Sequence, residues 1–220
     1  MNKTAIFSRL IAEWKTKLLL GGVLTCAFWI GYFLLQRYPV FPVRAMPVLN
    51  IDRLVPFVPG AAPVYVSQFA TMSVLAWLTP SKEDLYGFCR GIGLISGVGF
   101  LVFFFFPTSI VRPGFVPGHD FFYDLVIRFD GTINACPSLH AAFGVFLVAY
   151  APLAFRGLKF KTFFVGVVWA CTAAVLASTL LTRQHVFLDV LAGGILGAAA
   201  GLILPKSGNI FAVTEGSTLP

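Results

Sequence analysis

Apolar residues gather along this chain into six long stretches, at residues 18–35, 64–78, 91–106, 141–155, 162–181 and 190–204. A helix crossing a bilayer needs about 20 mostly apolar residues, and each stretch approaches that length. None shows the strict alternation of a barrel strand, and backbone groups in lipid must be satisfied within the segment itself. The pattern therefore predicts an all-α fold, a polytopic membrane protein built as a six-transmembrane-helix bundle. The chain reads as a single membrane domain over residues 1–220, without internal repeats. The second stretch is the least regular, because Ser67, Gln68, Thr71 and Ser73 interrupt it.

Polar segments separate the stretches. Residues 37–63 hold six of the fourteen prolines and read as an irregular interfacial loop. The connection over residues 107–139 carries Arg112, His119, Asp120, Asp124, Arg128 and Asp130 among aromatic residues. Part of it is expected to form a short amphipathic helix along the interface.

Composition strengthens the membrane reading. The 220 residues are 58% hydrophobic and only 11% charged, against about 25% charged in soluble proteins. Sixteen Lys and Arg and nine Asp and Glu are too few to cover a soluble domain of this size. The net charge of +7 does not point to nucleic acid, since basic residues in such a chain mark cytoplasmic loops and anionic lipid contacts. The basic N-terminus followed by residues 18–35 imitates a signal peptide. That run is too long for an h-region and lacks an Ala-x-Ala exit, so it reads as a retained first span. Cys26, Cys89, Cys136 and Cys171 are far apart and show no metal-binding spacing, which argues against disulfides and zinc.

Basic residues also orient the bundle. With the N-terminus in the cytoplasm, Lys3, Arg9, Lys15, Lys17, Lys82, Arg90, Arg156, Lys159, Lys161 and Lys206 lie inside. Arg37, Arg44, Arg53, Arg112, Arg128 and Arg183 lie outside. Ten against six follows the positive-inside rule and places residues 107–139 and 182–189 together on the extracytoplasmic face.

Chemistry concentrates on that face, where ionisable groups at helix ends are costly and point to a site. His185 and Asp189 stand at i and i+4, so on a helix the carboxylate would orient the imidazole and leave its other nitrogen free, a nucleophile or base with its orienter. The same pair could simply cap the sixth helix. Asn134-Ala135-Cys136-Pro137-Ser138-Leu139-His140 reads as a helix start with Asn134 or Cys136 near the cap and Pro137 in the first turn. Its free N–H groups would suit an anion. His140 reads equally as an interfacial histidine or a participant. Arg112, after the third stretch, either snorkels to headgroups or grips phosphate. Two histidines, a carboxylate and two arginines on one face fit phosphoryl transfer.

These elements resemble, in order, the motifs Lys-x6-Arg-Pro, Pro-Ser-Gly-His and Ser-Arg-x5-His-x3-Asp of the type 2 phosphatidic acid phosphatase superfamily. Arg112-Pro113, Pro137-Ser138 with His140, and His185-x3-Asp189 supply the matches, while Phe105, Leu139 and Thr179 stand where those motifs have Lys, Gly and Arg. The departures look like the branch of inositol phosphorylceramide and sphingomyelin synthases. Asp189-Val190 with Gly193 is similar to that branch, as is Asp52-Arg53-Leu54-Val55-Pro56-Phe57-Val58-Pro59. The resemblance covers roughly residues 50–204 and implies a phosphohistidine on His185, oriented by Asp189. It implies that His140 protonates the leaving oxygen and then activates the acceptor. Arg112, Arg183 and backbone N–H groups near Ser138 would bind the phosphate, with no metal and no cofactor.

The expected function is a membrane-embedded lipid phosphatase acting on a lipid phosphate ester. A lipid phosphotransferase that passes the headgroup to a hydroxyl acceptor is the alternative through the same intermediate. A non-enzymatic transporter or scaffold is a third reading, against which the absence of inverted repeats counts. Headgroup and oligomeric state are left open by the sequence.

Overall fold

Each of the six apolar stretches is helical in a computed structural model of the chain, which describes residues 3–112 and 120–204. In chain order the elements are α1 (Lys3–Ile11), α2 (Trp14–Arg37), β1 (Arg44–Ala45), α3 (Asn50–Leu54), a 3-10 turn (Pro59–Ala61), α4 (Ala62–Trp77), α5 (Lys82–Phe105) and β2 (Thr108–Ser109). There follow α6 (Phe121–Phe129), α7 (Leu139–Ala154), α8 (Lys161–Leu181) and α9 (Phe187–Gly201). Pro113, His119 and Lys206, all used in reading the sequence, lie outside the described residues.

The helical expectation holds in its coarser form. The chain is mostly helical, with one parallel pair of two-residue strands, β1 and β2, and a bridge from Ser109 to Ile133. These few bridges tie the first interhelical loop to the third. The six helices are not equal: among the described residues α2, α5 and α8 are the ones long and apolar enough to cross a bilayer. The 16-residue α4 and α7 and the 15-residue α9 reach only about 24 Å against a hydrocarbon core of about 30 Å. At α7 and α9 the N-terminal ends are set locally, by the Ser138 cap and by Asp189 in the first turn of α9. Backbone at that depth is tolerated where protein rather than lipid surrounds it.

Helix α7 is the axis of the bundle. Ala141, Ala142, Phe146, Leu147, Tyr150 and Ala151 are fully buried along it, and it packs most extensively against α9 and α8. The outer faces are apolar instead, with Leu19, Ile30, Leu101, Phe163, Trp169 and Ile195 all exposed. A water-soluble protein does not present such a surface; a bilayer satisfies it.

Polar contacts gather at the two ends. At one end, the buried Lys17 donates to the carbonyls of Arg9, Trp77 and Thr79, using all three ammonium protons. Arg9 reaches the carbonyls of Ala154 and Arg156, and Arg156 pairs with Asp84 at 2.7 Å. At the other end lie the short strands, α6, and the turns that open α7 and α9. The short helix expected in the 107–139 connection is α6, whose Phe121, Phe122, Leu125 and Phe129 are exposed while Tyr123 and Val126 are buried.

Candidate active site

The turn between α8 and α9 is built around Thr179 and Asp189. Beyond Leu181 the chain doubles back, so that the N–H groups of Gln184 and His185 both donate to the carbonyl of Thr179. Arg183 takes a left-handed conformation (φ 54°) to make that reversal. Helix α9 then starts, and Asp189 reaches back with Oδ1 to accept from the Val186 N–H at 3.1 Å. Its other oxygen, Oδ2, lies 3.2 Å from His185 Nδ1. The pair expected on one helical face is thus formed differently: His185 precedes α9, and the carboxylate both caps the helix and orients the ring. In a neutral His185 whose Nδ1–H donates to Asp189, Nε2 is left with the lone pair. Burial, the largest influence, disfavours the imidazolium, but the charge and hydrogen bond of Asp189 outweigh it and hold the His185 pKa above its ordinary value. Arg112 is near enough to act on His185 in the opposite sense.

The second turn opens α7. The expected cap at Asn134 or Cys136 is replaced by Ser138, whose hydroxyl accepts from the Ala141 N–H. Serine is a strong N-cap, whereas Asn134, left-handed at φ 68°, points its amide toward the Tyr32 carbonyl. The Ser138 N–H donates to the Asp189 carbonyl at 3.0 Å, so Ser138 ties the two turns together and is fully buried. Thr108 of β2 braces the same turn through its hydroxyl, which accepts from the Cys136 N–H.

The two turns bring both histidines to one cavity. Their ring centroids are 6.2 Å apart. His140 stacks on Tyr65 at 3.9 Å and meets the edge of Phe69 at 5.6 Å, and its buried Nε2 has no hydrogen-bond partner. The cavity has a volume of about 500 Å³ and is lined by His140, His185, Asp130, Asn134 and side chains of α2, α4, α6 and α7 that are almost all apolar.

The cations are placed unequally. Arg112 donates one N–H to the Gly131 carbonyl at 2.9 Å, and its buried Nε has no partner. Arg183 is committed elsewhere: its guanidinium binds the carbonyls of Asp52 and Val55. Asp52 in turn accepts from the N–H groups of Phe187 and Leu49. The 49–58 segment therefore straps the His185 turn in place, reinforced by the Val58 N–H on the Leu181 carbonyl. Among the described residues no three His, Cys, Asp or Glu side chains converge as metal ligands would.

Asp130 is the site residue to which the sequence assigned no role. Its two oxygens accept from the hydroxyls of Tyr32 and Tyr65, and it faces the same cavity as the histidines. The only sequence signal was an acidic residue at the end of an aromatic run. Its partners come from α2 and α4, far away in the chain, and no local spacing announces them.

No curated protein and no solved structure matches the chain. The model of the PAP2 superfamily matches residues 99–209, half of the chain, a span that includes Arg112, both histidine turns and Asp189. With the helical bundle and the paired histidines described above, this match settles the family: the chain belongs to the PAP2 superfamily, whose activities are of the phosphatase or phosphotransferase type.

Proposed function

We propose that the protein is a membrane-embedded lipid phosphatase that works through a phosphohistidine at His185. The observation that carries this reading is the His185–Asp189 pair set 6.2 Å from His140 on the wall of one apolar cavity. In the reaction, His185 Nε2 attacks phosphorus and the ester P–O bond breaks. His140 delivers a proton to the departing alkoxide. Water, deprotonated by His140, then attacks phosphorus, the P–N bond breaks and inorganic phosphate leaves. Asp189 stabilises the imidazolium that forms while His185 carries the phosphoryl group. Arg112, with Nε unpartnered, is the cation available to the phosphate oxygens. Ser138 and Arg183 contribute by fixing the two turns.

Six passes, a cytoplasmic N-terminus and an extracytoplasmic site complete the proposal. They follow from the alternation of helix ends and from the basic residues at the end opposite the histidines. The phosphotransferase reading uses the same intermediate with a hydroxyl acceptor in place of water. It is favoured by the Asp52–Pro59 segment and by Asp189-Val190 with Gly193, which resemble the inositol phosphorylceramide and sphingomyelin synthase branch.

Rapid quenching into alkali with a phosphorus-labelled lipid phosphate tests the mechanism, because a P–N bond survives alkali and is lost in acid. Label should be trapped on wild-type protein, persist longer in His140→Ala and be absent in His185→Ala. Substantial turnover by His185→Ala would overturn it. Adding inositol or a long-chain alcohol during turnover separates the two readings by whether a phosphodiester or free phosphate accumulates.

A further inference from the structure

The cavity at the histidines does not end beneath them. A second cavity of about 370 Å³ shares Phe28, Trp29, Phe69, Met72 and Phe143 with the first. The two cavities adjoin along these five side chains, and together they make a slot between α2 and α4. Along α4 its lining runs from Tyr65 to Trp77, a depth of about 18 Å at 1.5 Å per residue.

Its far end is not apolar. Lys17 lines the second cavity and fixes its ammonium on the carbonyls closing α4. A hydrocarbon chain that reached this floor would meet the Lys17 ammonium and the carbonyls it binds, which close the slot with polar groups in place of apolar wall. Above the floor, Gly21 and Gly22 line the slot, and a Cβ added at either would touch nothing within 4 Å. The slot thus has a reactive mouth, aromatic walls, a charged floor and two glycines that leave the space above that floor open.

We infer that this slot is a length gauge for one hydrocarbon chain of the substrate, with Gly21 and Gly22 setting how long a chain is accepted. The inference rests on the reading of the histidine site as one that acts on a lipid phosphate, and it adds the chemistry of the rest of that molecule. A phosphate ester held at His185 can send its chain down the slot, where each methylene leaves water until the floor is reached.

The test is a series of monoalkyl phosphates of increasing chain length, each used below its micellar concentration. In the wild type kcat/KM should rise by up to about fourfold per added methylene and then level off at one chain length. Gly21→Leu and Gly22→Leu should each move that break to a shorter chain. Gly166→Leu, at a glycine with equally open space on exposed α8 surface, should leave it where it was. A rise without any break, or a break that neither slot variant moves, would overturn the gauge. A separate arm keeps this outcome apart from failure of the phosphatase reading. An alkyl phosphate bearing a terminal diazirine is photolysed on the full-length protein in detergent micelles. Labelling at residues 21–25 or 72–77, even with no ester hydrolysed, upholds the slot while removing the proposed reaction. Labelling spread over the exposed face of α8 removes the slot.

Discussion

Asp189 performs two functions with one carboxylate, and both act on His185. By accepting from the Val186 N–H it fixes the start of α9, and by facing Nδ1 it fixes the histidine tautomer. The pH consequence has a definite sign. A nucleophilic Nε2 must be unprotonated, and Asp189 raises the His185 pKa, so kcat/KM should fall as pH drops through a value above the ordinary histidine pKa of about 6.5. In Asp189→Asn the charge that raised it is gone. The acid limb should then move to lower pH while the maximal rate falls by on the order of 10²- to 10⁴-fold. A pH–rate profile on a soluble aryl phosphate reads both effects, and an acid limb that stays in place would detach Asp189 from His185 titration. This pair was legible in the sequence because four residues of spacing suffice to suggest it. Asp130 with Tyr32 and Tyr65 was not, since no local spacing relates those three positions.

Close approach of α9 to α7 is what sets the distance between the histidines, and three glycines make it possible. A Cβ at Gly193 would lie 2.1 Å from the Ser138 carbonyl oxygen, and one at Gly197 would lie 2.2 Å from that of Ala142. Gly201 meets the Ala149 side chain in the same way. Spaced four apart, these glycines form one stripe along α9, the small-residue contact that membrane helices use to pack backbone on backbone. Gly193→Ala should therefore cost about 1–3 kcal/mol and also separate Ser138 from Asp189, lowering activity more than the stability loss explains. Gly194→Ala, where the nearest atom is a Val145 methyl at 3.9 Å, should be neutral by both measures. Thermal unfolding in detergent alongside turnover distinguishes them; equal behaviour of the two variants would remove the stripe from the site. At this scale hydropathy located every helix of the bundle. Sequence spacing suggested a cap of α7 at Asn134 or Cys136 and one helical face for His185 and Asp189, whereas Ser138 caps α7 and His185 precedes α9. The family resemblance implied Arg183 as a phosphate ligand, while the structure gives that guanidinium carbonyl partners more than a hundred residues away in sequence.

Across the whole molecule the two ends of the bundle differ in kind. One carries Arg9, Lys17, Asp84 and Arg156, whose polar groups staple helix ends together; the other carries the histidine turns, the strap and α6. Excess Lys and Arg on the stapled end favours the cytoplasm, which would turn the histidine cavity outward and draw the phosphate ester from the outer leaflet. Native Cys136 is a poor reporter of this, since burial, with a lesser contribution from Asp189, pushes its thiol up to about 11 and leaves little thiolate at neutral pH. Introduced cysteines at exposed positions serve better: Leu54→Cys beside the strap, where the native side chain is 83% exposed, and Lys159→Cys in the exposed loop between α7 and α8. In sealed right-side-out vesicles an impermeant maleimide should label Leu54→Cys at once and Lys159→Cys only after permeabilisation. The opposite order would invert the bundle, place the site in the cytoplasm and make the inner leaflet the source of the substrate, while leaving the chemistry of His185, Asp189 and His140 as it stands.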